Sequence, residues 1–261
     1  MTRALILASL ALTGCVAPVR GEPASWNRVV LVELFTSQGC SSCPTADALV
    51  RELPRLGFTR DKVLPLTYHV SYWDDLGWKD PFSSPAFTAR QQWYADTGKL
   101  RSPDVQASAR EIYTPQMVVG GTVHFSGARR NVALSQLQKA AAVAASLKLT
   151  GEGRLEGDVA VVTIAASGPA QPDPSWRLFV ALALRSARTP VASGENGGRT
   201  LEEADVVRSL TGPLPLRLGQ ANVVRLAKPA SARWADLELV AFVQSLSSLE
   251  VAGAAAVTLS P

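Results

Sequence analysis

Two cysteines separated by two serines, Cys40-Ser41-Ser42-Cys43, are the residues of this chain best suited to chemistry. A dithiol at this spacing can close to a disulfide without backbone rearrangement. It exchanges with other disulfides when its first sulfur ionises, because the thiolate is the nucleophile. A helix that starts at the pair favours this, since its free N–H groups and positive end stabilise an anion at Cys40. Cys40 is then expected to attack a partner and Cys43 to resolve the mixed disulfide. Two other uses of the pair stay open. A structural zinc site calls for a second ligand pair, and no second cysteine pair is present. A structural disulfide across so short a loop lies at the low end of the chain-entropy benefit.

The elements around the pair support a strand–helix junction. Val29 to Phe35 is an apolar, β-rich run and reads as a buried strand. After the dithiol, Pro44 suits a first helical turn, and Ala46, Leu49, Val50 and Leu53 recur at helical spacing until Pro54. Val63 to Val70 reads as a second strand, which completes a βαβ unit with parallel pairing. An aromatic, polar stretch follows from Tyr72 to Phe87, then a helical segment from Thr88 to Ala95 with an end signal at Gly98. Gly120-Gly121 marks a tight hairpin between Gln116–Val119 and Thr122–Phe125. A helix from Asn131 to Leu147, stopped by Gly151, is expected next. Beyond it the chain carries short alternating runs, such as Trp176, Leu178, Val180, Leu182 and Leu184 on one face of a strand.

This order of strand, dithiol, helix, strand, insert, Thr-Pro, hairpin and helix resembles a thioredoxin fold. The resemblance implies that the Thr114-Pro115 bond is cis and packs against the dithiol, with Thr114 and Pro115 forming a substrate-binding loop. It also implies a role for Glu33, seven residues before Cys40 in an otherwise apolar strand. Many thioredoxin-like proteins carry a buried acid near this place that moves the proton of the resolving cysteine, and a desolvated carboxyl suits that task. His69 ends the second strand. Cys40, Cys43 and His69 together resemble the copper sites of thioredoxin-like delivery proteins, although those space their cysteines one residue wider. The alternative is a structural histidine, hydrogen-bonded near the insert. His124 in the hairpin has no assigned role.

The motifs Gly39-Cys40-Ser41-Ser42-Cys43-Pro44, the segment from His69 to Phe82 with its Tyr72-Trp73-Asp74, Gly77-Trp78-Lys79-Asp80-Pro81, and Tyr113-Thr114-Pro115-Gln116-Met117-Val118-Val119 are specific. On them, most of residues 29–130 is similar to a bacterial family of secreted, thioredoxin-like proteins known as a domain of unknown function. The family supplies no substrate. Its insert reads either as a cap with Trp73 and Trp78 forming an apolar wall for a peptide, or as core packing.

The chain's start reads as an export signal. Met1 to Gly14 is positive, then apolar, then small, and Leu12-Thr13-Gly14-Cys15 resembles the bacterial lipobox, in which the cysteine is lipidated. The apolar run falls short of the roughly 20 residues that span a bilayer. A lipid on Cys15 also accounts for the odd count of 3 cysteines, and leaves one pair. A formal charge of +4 over 261 residues is too thin to argue for nucleic acid. The expected organisation is a signal peptide at 1–14, a tether at 15–27, an α/β thioredoxin-like domain at 28–149 with an inserted aromatic segment, and an all-β sandwich-like domain at 150–261. The expected function is a periplasmic thiol–disulfide oxidoreductase, anchored by Cys15 to the outer membrane. It would need no cofactor and would act on exported cysteine-containing proteins or a redox partner.

Overall fold

The computed structural model describes residues 28–103, 108–168 and 172–260. The expected signal peptide, the lipidation site Cys15 and the tether lie outside the described residues. The first part of the chain forms β1 (Val30–Thr36), α1 (Cys43–Glu52), β2 (Val63–His69), α2 (Pro85–Thr97), the hairpin β3 (Gln116–Val119) and β4 (Val123–Ser126), and α3 (Arg130–Ala142). Seven strands follow: β5 (Lys148–Glu156), β6 (Val159–Ser167), β7 (Trp176–Pro190), β8 (Thr200–Pro215), β9 (Ala221–Ala227), β10 (Leu237–Ser245) and β11 (Val251–Ser260).

These strands correct the expected fold class. An α/β thioredoxin-like domain followed by a separate β-sandwich is not what forms. The chain is mostly β, with a single mixed sheet of 11 strands in the order β4-β3-β1-β2-β8-β7-β10-β11-β5-β6-β9. β1 and β2 pair in parallel as expected. The open edge of β2 then receives β8, with Thr67 opposite Val206 and the Thr67 hydroxyl donating to the Ala204 carbonyl at 2.9 Å. An unpaired edge on β2 would leave backbone groups exposed; β8 is long enough to cover it and still pair with β7. Hydrophobic periodicity reports which elements form, and carries no information on which edge a distant strand will find.

Local differences have similar causes. α3 stops at Ala142, short of Leu147, where the β-branched Val143 turns extended. Leu147 is instead buried in the core of the second half, and Gly151 lies inside β5, where a Cβ would press on Val257 and Ile164. The Gly120-Gly121 turn forms as expected, with both residues at positive φ. A side chain at Gly121 would collide with the Leu249 carbonyl of the loop between β10 and β11.

Burial alternates by face along β1. Val30, Val32 and Leu34 pack under α1 and α3 with Leu49, Met117 and Leu137. Leu31 and Phe35 point the other way, into a core shared with Tyr68, Phe87, Phe179, Val240 and Phe242. Glu33 shares that second face and is 1% exposed. There it accepts from Arg90 Nε at 2.5 Å and from the Tyr94 hydroxyl at 2.5 Å. Arg90 also donates to Gln244 of β10 at 3.0 Å. Its guanidinium lies 5.3–5.9 Å from the ring centroids of Tyr68, Trp93, Tyr94, Phe179 and Phe242. Removing one partner of a buried ion pair strands the other charge, at about 3–5 kcal/mol. Glu33→Gln is therefore expected to lower the urea-unfolding stability by that order and to leave the Cys40 titration unchanged. Unchanged stability with altered thiol chemistry would reinstate Glu33 as the base.

Candidate functional site

β1 delivers the chain to the dithiol, and α1 carries it away. After Thr36 the chain turns through Ser37–Ser42, with Cys40 N–H donating to the Ser37 carbonyl and Cys43 N–H to the Cys40 carbonyl, both at 3.2 Å. Cys43 is the first residue of α1 and Pro44 sits in its first turn, so Cys40 lies just before the positive helix end. Both cysteines are free thiols and buried. The Cys40 thiol is pulled down to about 5. Its hydrogen bond with Cys43 is the largest cause, burial opposes it, and Ser42 and Thr114 add to it. The Ser42 hydroxyl is 3.3 Å and the Thr114 carbonyl 3.9 Å from Cys40 Sγ. Burial pushes the Cys43 thiol far up, reinforced by Cys40 and by the Asp47 carboxylate. The pair is thus polarised into one ready thiolate and one held thiol. Thr114-Pro115 is cis, as the resemblance implied, and brings the Thr114 carbonyl to the sulfur.

Glu33 is not beside this pair. α1 packs on the face of β1 formed by Val32 and Leu34, and Glu33 points to the other. The acid that faces the dithiol is Asp47, one turn after Cys43 on α1 and 4% exposed. Burial pushes its carboxyl up to about 8, and the neighbouring Glu203 adds to this while His69 opposes it. Asp47 Oδ1, Thr36 Oγ1, His69 Nε2 and Glu203 Oε1 are all buried without a hydrogen-bond partner among the described residues. His69 pairs through Nδ1 with Asp80 Oδ2 at 2.7 Å. Burial disfavours its cation, but Asp80, with Glu203 and Asp47 adding to it, holds the imidazole up at about 9. Asp80 also accepts from the Gln38 N–H at 2.9 Å, and the Gln38 side chain donates to Glu203 at 3.0 Å. His69, at the end of β2, is thus hydrogen-bonded to the insert through Nδ1, with Nε2 turned to the Asp47 and Glu203 carboxyls. Among the described residues, no group of three or more His, Cys, Asp or Glu is placed to hold a metal ion.

Two segments cover the dithiol loop. From the insert, Trp78 Nε1 donates to the Gln38 side chain at 3.1 Å, and Trp73 lies against Gly39. Trp73 also packs against the core behind it. The second segment comes from the loop between β7 and β8. Asn196, fully buried, donates from Nδ2 to the Gln38 and Cys40 carbonyls at 2.9 Å each. Glu195 accepts from the Ser41 N–H at 2.8 Å. Sequence reasoning missed Asp47, Gln38, Asn196, Glu195 and Glu203. Asp47 had a signal, an acid four residues beyond Cys43 on a helix. Asn196 and Glu203 reach the site only through the β2–β8 pairing.

The fold is shared with solved structures. A crystal structure of a protein from Agrobacterium tumefaciens matches with a TM-score of 0.65 and 25% identity, over 88% of this chain and 95% of that one. HBP35 of Porphyromonas gingivalis matches with a TM-score of 0.60 and 15% identity, over 91% of this chain and 77% of that one. None of the curated proteins matches the chain. Residues 31–244 match the family described as "Protein of unknown function (DUF1223)", and the chain belongs to that family.

Proposed function

We propose that the protein is a thiol–disulfide oxidoreductase of the bacterial cell envelope, exported by its leader and anchored through a lipid on Cys15. The supporting observation is the split between the two thiols, with Cys40 held near 5 and Cys43 held as a thiol. In the reducing direction, the Cys40 thiolate attacks one sulfur of a partner disulfide and forms a mixed disulfide, and the partner's other sulfur leaves as a thiolate. Cys43 loses its proton and attacks Cys40 Sγ. This closes the Cys40–Cys43 disulfide and releases the partner's first sulfur. Two electrons pass from the dithiol to the partner, and one proton leaves Cys43. The oxidising direction is the reverse. The partners are exported cysteine-containing proteins or a redox protein, and they dock over the exposed Ser41 and Ser42 beside Thr114.

Asp47 takes the role that Glu33 was expected to play. Its carboxylate is the buried base facing Cys43, and the carboxylate fraction grows as pH rises through about 8. His69, held cationic by Asp80, keeps the surrounding carboxylates from making that site wholly negative.

Two measurements test this reading. The full chain carrying Cys43→Ser, produced in the envelope, is expected to accumulate mixed disulfides at Cys40 that disappear on reduction. A folded Cys43→Ser protein that captures nothing contradicts the proposal. The resolving step in the wild-type protein is expected to accelerate with pH through about 8, and Asp47→Asn is expected to abolish that limb. Stability gives an independent sign. A carboxyl raised from its ordinary 3.8 to about 8 weakens the fold progressively as pH rises across that interval. Asp47→Asn is therefore expected to be more stable than wild type at pH 8, while resolving more slowly. A slower variant that is also less stable at pH 8 would point to damage instead.

A further inference from the structure

Away from the dithiol, α2 and the β7–β8 hairpin diverge and leave a groove of about 620 Å³. That volume lies within the range of about 300–1,000 Å³ typical of small-molecule pockets. Its floor is Phe87 and Phe179, both buried. One wall is the outward face of α2, where Ala86, Ala89 and Trp93 recur at helical spacing. The opposite wall is β8, with Leu210 and Arg208. The two small alanines keep the helix wall low, so the floor is open to an apolar chain.

The charges lining this groove are unequal. Arg90 already has an ion pair with Glu33 and hydrogen bonds to Tyr94 and Gln244. Arg208 is half-buried and, among the described residues, forms no ion pair. It stacks on the ring of Phe82, with its guanidinium carbon 5.0 Å from the centroid. Burial lowers its pKa, and the carboxylate of Asp80 opposes this at longer range. A guanidinium held in this way has lost water without gaining an anion, which is unfavourable. A carboxylate in the groove would restore what it lacks, and the guanidinium fork matches that group.

We propose that this groove binds a small amphipathic anion, an aliphatic chain bearing one carboxylate, with the chain on Phe87, Phe179, Leu210 and Trp93 and the carboxylate on Arg208. The site is separate from the dithiol and stands whether or not Cys40 and Cys43 exchange disulfides. Decanoate and decanol are suitable probes, titrated into the full chain by calorimetry and by Trp93 fluorescence. Decanoate is expected to saturate one site and to bind about tenfold or more tightly than decanol, the worth of one charge-assisted hydrogen bond. Arg208→Met is expected to remove that preference and to leave decanol binding unchanged. Ala89→Trp, an exposed position that fills the groove without touching the core, is expected to abolish both. Equal binding of the alcohol and the acid, decanoate binding that survives Ala89→Trp, or no saturable binding would each overturn the proposal. Binding of an apolar peptide in place of decanoate would overturn it as well.

Discussion

Arg90 is buried, and the rest of the molecule is arranged around keeping its charge compensated. Glu33 of β1 supplies the opposite charge, Tyr94 and Gln244 accept further hydrogen bonds from it, and Gln244 in turn donates to Tyr94. Five aromatic rings close over the guanidinium, three from the first part of the chain and two, Phe179 and Phe242, from the last. A buried charge of this kind tolerates little displacement of its partners, because any lost contact leaves an uncompensated ion in an apolar surround. It therefore ties β1, α2, β7 and β10 to one geometry. The pairing of β2 with β8 completes the same constraint through the backbone.

The dithiol depends on that joint construction. Its own helix supplies Cys40, Cys43 and Asp47, but the groups that shape their surroundings come from elsewhere. Glu203 is on β8, Asn196 and Glu195 are on the loop before it, and Asp80 is in the insert. The Asn196 amide fixes the Gln38 and Cys40 carbonyls, and so fixes the turn that presents Cys40 Sγ. Burial raises the carboxyls of both Asp47 and Glu203, Glu203 raises Asp47 further and Asp80 raises Glu203, while His69 opposes the rise in both. A first half without β8 would keep its two cysteines and lose much of this field.

How much of this was legible depended on whether the relevant contact was local. The strand before Cys40, the helix start at Cys43 and the Gly120-Gly121 hairpin all follow from short-range signals, whereas the cis Thr114-Pro115 bond came only from the family resemblance. Glu33 was placed in a buried strand correctly and given the wrong neighbours. Both faces of β1 are buried, so its sequence shows no alternation from which to tell which face Glu33 takes. Arg90, its partner, sits 57 residues away on a helix whose apolar stripe is weak. The division into two independent folds failed for a related reason. The second half reads as antiparallel strands, and most of them are; what no periodicity could reveal is that β8, while pairing with β7, also pairs in parallel with β2.

The central claim is that Cys40 and Cys43 form an exchangeable dithiol and not a structural disulfide. Equilibrating the full chain with glutathione buffers measures this most directly, with the Cys40–Cys43 state read by thiol labelling of the unfolded protein. A stabilised Cys40 thiolate favours the reduced form, so a midpoint potential above about −300 mV is expected, in the range of exchanging dithiols. A potential below about −300 mV, with the pair resisting glutathione, would mark the bond as structural and contradict the claim.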